Sequence, residues 1–377
     1  MDTKELERML AAMTRAGASS LHLLPGHSPC VRVQRRFVKS EHPVVEPEAI
    51  DELLRDLLFE DHRARLRRDG QVDVLYVARS GQRFRTTVLQ QEAGLAMLLR
   101  PIPDVPPQLE ELGLPQQIAS FLQLQSGLVL IAGSFGSGKS STLAALIDRF
   151  NKETTHHLVT IEEPIEYLHP QGLALLHQRE VGAHVRDCAV GVRQAMRLGA
   201  EVVFVSEIQD QATLEAVLDA AESGCLVFAG FDASSVVGAC MDLPTLVPPE
   251  QRERVCARLA TTLRAVTAQT LLPCAHQQGR VPMVEVLIAN AATRVAIRAG
   301  AFGELPTIMH RCRGLGMQTV DAALRSLLAR HVITPEEAMQ HAVHRDHVLT
   351  RSPSGVSAPP RNYEECFLPA SVAGAGP

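Results

Sequence analysis

Residues 133–140 read Gly133-Ser134-Phe135-Gly136-Ser137-Gly138-Lys139-Ser140, and this run limits what the chain can be more than any other feature. It matches G-x-x-x-x-G-K-[ST] in full. The glycines allow backbone angles that a Cβ would forbid, so successive N–H groups can turn inward onto phosphate oxygens. Lys139 is placed to reach the β- and γ-phosphates, and the Ser140 hydroxyl to ligate Mg2+. The helical stretch that opens at Ser141 aims its positive end at the same anions. Before the loop, Gly127-Leu128-Val129-Leu130-Ile131-Ala132 is a continuous apolar run, the pattern of a buried parallel strand. A chance Gly/Ser-rich turn would lack this strand-before, helix-after setting. Residues 133–141 are therefore expected to bind ATP with Mg2+.

Three further apolar runs follow: Leu158-Val159-Thr160-Ile161, Val202-Val203-Phe204-Val205 and Leu226-Val227-Phe228. Helical stretches separate them, which predicts an α/β domain around a central sheet. The second run ends in Ser206-Glu207. An acid closing a strand downstream of a phosphate loop has the form of a Walker B element, whose carboxylate orients the attacking water or supports the metal shell. Glu162 and Glu163 close another strand, where two acids can serve water and metal; alone, they would read equally well as a charged loop. We expect Glu207 and Glu162 to act on the water beside Lys139, and Glu163 to join Ser140 at the metal. His22 lies within an apolar strand and His156-His157 reads as a loop. No metal is assigned to these histidines.

The region before the loop has a different texture. Leu6, Met9, Leu10 and Met13 recur at helical spacing. Short β-type runs follow at 20–24, 30–33, 72–77 and 82–88, with a helical stretch from Pro47 to Leu58 between them. This predicts a small α+β domain. Pro101-Ile102-Pro103-Asp104-Val105-Pro106-Pro107 cannot continue a helix or a central strand, and reads as a linker. The segment 292–342 reads as helices, and the small residues and prolines after 350 read as a disordered tail.

The balance of 37 basic and 42 acidic side chains offers no general attraction for nucleic acid. The basic run from His62 to Arg68 reads as a solvated helix face. No signal peptide and no apolar stretch of ~18–20 residues is present, so a soluble, cytoplasmic chain is expected. No two of the eight cysteines form a CxxC pair, which argues against zinc ribbons and thioredoxin-type redox sites.

Several stretches together resemble the type II/IV secretion and pilus motor ATPases, on their pilus-retraction branch. Ala18-Ser19-Ser20-Leu21-His22-Leu23 is similar to the family's A-S-D-L-H-L, and Gln82-Arg83-Phe84-Arg85 to its R-F-R strand. Thr160-Ile161-Glu162-Glu163-Pro164-Ile165-Glu166-Tyr167 resembles its acidic T-I-E-D-P-I-E-[FY] box. Gln178 to Gly182, Ala220 to Gly224, Gln269-Thr270-Leu271-Leu272, Ala296-Ile297-Arg298 and Leu315 to Thr319 match further motifs. The likeness runs from about residue 2 to 345.

The resemblance implies a PAS-like N-terminal domain over 1–100, a linker at 101–107, a RecA-like ATPase domain over 108–349 and a tail at 350–377. It implies a hexameric ring, either homomeric or mixed with a paralogous motor, docked on the inner-membrane platform protein of a pilus machine at the cytoplasmic face. ATP would lie between the two domains and against a neighbouring subunit, with Arg83, Arg85 and Arg100 as candidate phosphate contacts. The tetracysteine zinc site of extension ATPases is missing, which favours the retraction branch and no zinc.

The departures bear on chemistry. The family's G-E-[ML]-R-D reads Ser206-Glu207-Ile208-Gln209-Asp210, and its R-[EQ]-D-P-D reads Arg197-Leu198-Gly199-Ala200-Glu201. In the phosphate loop P-T-G has become Ser134-Phe135-Gly136. Cys225 and Asp232 replace both histidines of the "His box", G-H-L-V-F-G-T-L-H-T. An ionised Asp232 only accepts hydrogen bonds and repels phosphate, so hydrolysis is expected to be weakened while binding survives. Two alternatives follow from the same residues: a catalytically weakened accessory ATP-binding subunit in a mixed ring, and an ATPase of a secretion system.

Overall fold

The structure is a computed structural model that describes residues 3–33, 36–103, 105–276 and 279–349. The expected tail at 350–377 lies outside the described residues. The chain divides into two compact units, Met1–Val105 with Glu166–Leu168, and Pro106–Ile165 with His169–Pro377.

The first unit opens with helix α1 (Thr3–Arg15), whose buried face is Leu6, Met9, Leu10 and Met13. Six strands follow: β1 (Ser20–Leu23), β2 (Cys30–Val33), β3 (Arg36–Lys39), β4 (Gln71–Val77), β5 (Arg83–Gln91) and β6 (Gly94–Ile102). Helices α2 (Pro47–Leu57) and α3 (Glu60–Asp69) lie between β3 and β4. The sheet is antiparallel in the order β3-β2-β1-β6-β5-β4. Its apolar face packs with the α1 stripe and with Ile50 and Leu54 of α2 into one core. The basic run from His62 lies on α3, where Leu66 is buried and Arg67 and Arg68 are exposed.

One sequence expectation needs correction here, and two strands, β3 and β6, have no counterpart among the expected runs. Pro101 and Ile102 belong to β6, a central strand, and are not linker. β6 pairs with β1 only as far as Leu21↔Leu99, whereas its pairing with β5 runs on through Phe84↔Pro101 and Arg83↔Ile102. Beyond Leu99 one side of the strand has no neighbour, so a residue without an N–H is tolerated. The strand β3 went unread because all four of its residues are exposed and its pattern does not alternate.

The second unit is built on a sheet of seven strands: β7 (Gly127–Ala132), β8 (His157–Glu162), β9 (Leu175–Glu180), β10 (Val202–Val205), β11 (Leu226–Phe231), β12 (Leu263–Pro273) and β13 (Arg280–Ile288), in the order β13-β12-β7-β11-β10-β8-β9. Every neighbouring pair is parallel except the β12–β13 hairpin. His157 opens β8 instead of lying in a loop. The continuous apolar runs have the reason anticipated for them: β7, β10 and β11 are buried at every position. Helices cover both faces as expected of a parallel sheet: α4 (Gln117–Ser120), α5 (Lys139–Glu153), α6 (Cys188–Arg197), α7 (Gln211–Glu222), α8 (Val236–Asp242) and α9 (Arg252–Thr262). The C-terminal part is helical, with α10 (Ala291–Arg298), α11 (Leu305–Arg311), α12 (Val320–Ala329), α13 (Pro335–His341) and α14 (Arg345–Leu349). Among the described residues no helix is long and apolar enough to cross a membrane.

Candidate nucleotide site

Four neighbouring strands of the second unit end on the same edge of the sheet. Ala132 of β7 pairs with Phe231 of β11, and Val205 of β10 pairs with both Ala229 of β11 and Ile161 of β8. The loops that leave them are stitched together by backbone bonds: Gly133 N to Phe231 O at 3.2 Å, Ile208 N to Gly230 O at 2.9 Å, and Ser206 N to Ile161 O at 2.9 Å. Strand order thus sets the phosphate loop, Asp232, Glu207 and Glu162 side by side. Ligands of such sheets bind outside the carboxyl ends of the strands.

The loop itself is closely braced. Gly136 and Gly138 have φ of +77° and +94°, a region that a side chain disfavours. A Cβ on Gly133 would collide with the Ser137 side chain and the Gln269 carbonyl. Gln269, buried in β12, donates from Nε2 to Ser137 O at 3.0 Å and accepts at Oε1 from Thr142 Oγ1 at 3.0 Å. One amide thereby ties the loop to the first turn of α5. The start of α5 has no side-chain cap at Gly138, which leaves its first N–H groups available to an anion. Ser134, Phe135 and Ser140 are exposed, and Phe135 is 88% accessible at the loop tip.

The Lys139 ammonium donates to Gly133 O and lies 3.2 Å from Glu207 Oε1. The other oxygen of Glu207 accepts from Gln209 Nε2 at 3.1 Å. Glu162, half-buried at the end of β8, accepts from Thr160 Oγ1 at 2.5 Å and Gln178 Nε2 at 3.1 Å. Glu163 is exposed beside it. The Cys188 thiol at the start of α6 is pushed up to about 12, chiefly by burial and then by the charges of Glu163, Asp210, Asp187 and Glu207. Those acids therefore share one neighbourhood. Two have a structural duty: Asp187 caps α6 through Val190 N and Asp210 caps α7 through Thr213 N, each at 2.7 Å.

The two substituted positions of the His box separate. Asp232 follows β11 at the phosphate-loop edge and is exposed. Cys225 precedes β11, is buried, and donates to Ala200 O at 3.2 Å. A strand rising about 3.3 Å per residue puts them roughly 20 Å apart. Of the two substituted positions, only Asp232 is on the phosphate-loop edge. The arginines belong to the first unit. Arg83 is buried at the start of β5, Arg85 pairs with Asp73 Oδ2 at 3.0 Å, and exposed Arg100 lies opposite Arg85 on β6. Sequence reasoning missed the bracing by Gln269 and Thr142 and the contact from Gln209. Gln269 was noticed only as part of a matching Gln-Thr-Leu-Leu run, and a lone amide does not announce its partner.

The family model for type II/IV secretion system proteins matches residues 3–346. The chain belongs to this family. Its architecture is that of a two-domain ATPase, an α+β N-terminal domain followed by a RecA-like core that carries the phosphate loop. Among type II/IV secretion system proteins it is 32% identical over 338 residues to the type IV pilus retraction ATPase PilT of Pseudomonas aeruginosa, spanning 90% of this chain and 98% of that one. It is 35% identical over 314 residues to the uncharacterized protein YggR of Escherichia coli strain K12, spanning 83% and 95%. The crystal structure of the pilus retraction motor PilT with bound ADP matches with a TM-score of 0.80 at 33% identity, over 90% of this chain and 97% of that one.

Proposed function

We propose that this protein is an ATP-hydrolysing motor of a type IV pilus machine, working in retraction. The observation that carries the reading is the convergence of Lys139 and Glu207, 3.2 Å apart, at the edge where the phosphate loop meets three acid-bearing strand ends. The similarity to PilT over nine-tenths of the chain supports the kind of work done.

Residues 133–141 cradle the phosphates with loop amides and the uncapped start of α5. Lys139 then exchanges Glu207 for the β- and γ-phosphates, and Glu207 orients the attacking water with Glu162 nearby. Exposed Ser140 and Glu163 offer a hydroxyl and a carboxylate of the hard-oxygen type that Mg2+ takes. Mg2+ supplies neutralisation of charge on the transferred phosphoryl group. Arg83, Arg85 and Arg100 complete the proposed phosphate contacts in the assembled protein. The proposed assembly is a hexamer, of this chain alone or mixed with a paralogous motor, on the platform protein at the inner face of the cell membrane.

The test is steady-state ATP hydrolysis with Mg2+ by the purified protein, beside Lys139→Ala and Glu207→Gln, with nucleotide binding followed in the same samples. Turnover that both substitutions abolish supports the motor. Nucleotide binding without turnover in the unaltered protein would replace it with the accessory-subunit reading that Asp232 suggests.

A further inference from the structure

We propose that Gln209 is a positioning residue for hydrolysis: it anchors Glu207 by Oε2, so that Oε1 is the oxygen presented to water once Lys139 turns to phosphate. The inference rests on the ATPase reading above. It starts from how the two carboxylate oxygens are used. Lys139 Nζ is 3.2 Å from Oε1 and Gln209 Nε2 is 3.1 Å from Oε2, so each oxygen has one donor of a different kind. The first contact cannot persist when the ammonium serves the nucleotide. The second lies on the exposed side of the loop and uses no group that the phosphates would claim.

The backbone around Gln209 holds it in place. Ile208, between the two side chains, is 2% exposed, and its N–H is bonded to Gly230 O at 2.9 Å. Ser206 N is bonded to Ile161 O at 2.9 Å on one side, and Asp210 caps α7 on the other. Gly230 permits this approach, since a Cβ there would strike Ser206 O. Glu207 and Gln209 flank the buried Ile208, so the loop presents both away from the core. A carboxylate only accepts, so the Gln209 amide must offer its NH2 group.

The amide is also the right kind of anchor. It fixes one oxygen without adding a charge, where the arginine of the family's motif at this position would add a charge-assisted bond. Lys139 of α5 meets Glu207 directly, and Glu163, Asp187 and Asp210 share with it the neighbourhood of Cys188. Glu162 ends β8 and Asp232 follows β11, the two flanking strands. The Cys188 thiol, pushed up to about 12, stays neutral throughout the working range.

The experiment measures kcat and KM for MgATP along the acid limb and the neutral plateau. It uses the full-length protein and its Gln209→Ala, Gln209→Glu, Gln209→Arg and Glu207→Gln variants, with ADP affinity as the check on folding. The expected result for Gln209→Ala is a fall in kcat of about tenfold with KM and ADP affinity unchanged. Gln209→Glu should move the acid limb up by roughly one pH unit, and Gln209→Arg should move it down. An ordinary kcat in Gln209→Ala together with an unmoved acid limb in the charged variants, while Glu207→Gln is inactive, overturns the role of Gln209 and leaves the ATPase reading standing. A change confined to KM overturns it likewise. Unaltered protein that turns over no faster than Glu207→Gln removes both.

Discussion

At the scale of single residues, the site is a set of exchanges between charges, and Lys139 is its hinge. Lys139→Ala should lower nucleotide affinity at least about tenfold, since a P-loop lysine meets the phosphates directly; competition binding with a labelled ADP measures it. Asp232 poses a separate question. It stands after β11, between the strand of the phosphate loop and the strand of Glu207. Asp232→His removes a repelling carboxylate and restores a donor, so kcat should rise severalfold, on the scale of about 1–2 kcal/mol for one charge-stabilising group. Cys225→His, at the opposite end of the same strand, should leave kcat as it is. Equal effects from the two would contradict the geometry described above.

Secondary-structure elements explain which parts of this site could be read ahead of the structure. The buried strands β7, β10 and β11 are apolar throughout, so their ends, and with them the loop lysine and Glu207, were visible in the residues alone. The rule that ligands lie at carboxyl ends then put Glu162 beside them. Pairwise contacts were not visible. Nothing in the run Gln269-Thr270 says that its amide reaches Ser137 and Thr142, more than a hundred residues earlier in the chain. The β6 strand had no counterpart among the expected runs, and its end fell in the expected linker because Pro101 was judged without knowing where the partner β1 stops. Bracing of this kind makes a prediction for α5 and its loop. Gln269→Leu leaves the Ser137 carbonyl and the Thr142 hydroxyl without their partner and should cost about 1–3 kcal/mol in unfolding free energy, with a matching loss of nucleotide affinity.

A second element-level prediction concerns pH. His169, in the segment between β8 and β9, is buried against α5 with its Nδ1 3.9 Å from Asp148 Oδ1, too far for a hydrogen bond. Burial lowers it to about 4 from the usual 6.5, against the smaller opposing pull of Asp148. The folded chain therefore holds fewer protons on this ring than the unfolded chain between those values. Its contribution to stability is complete above about 6.5 and is lost as pH falls towards about 4, amounting to about 3 kcal/mol. Denaturant titrations at several pH values should show that slope, and His169→Leu should flatten it.

At the scale of the whole molecule, ligand binding and folding are linked. A nucleotide at a hundred times its dissociation constant should stabilise the protein by about 2.7 kcal/mol, provided the unfolded chain does not bind it. Glu207→Gln, which keeps the phosphate cradle, should retain that gain in thermal melts, whereas Lys139→Ala, at the same nucleotide concentration, should lose about half of it or more. The chain also contains no tryptophan, although it has 11 phenylalanines and 3 tyrosines. Its ultraviolet emission is consequently almost dark. Phe135, the 88% accessible side chain at the tip of the phosphate loop, is the natural place to install a lone indole. Phe135→Trp would turn that darkness into a fluorescent readout, a single lamp whose colour and brightness follow the arrival and departure of nucleotide in real time.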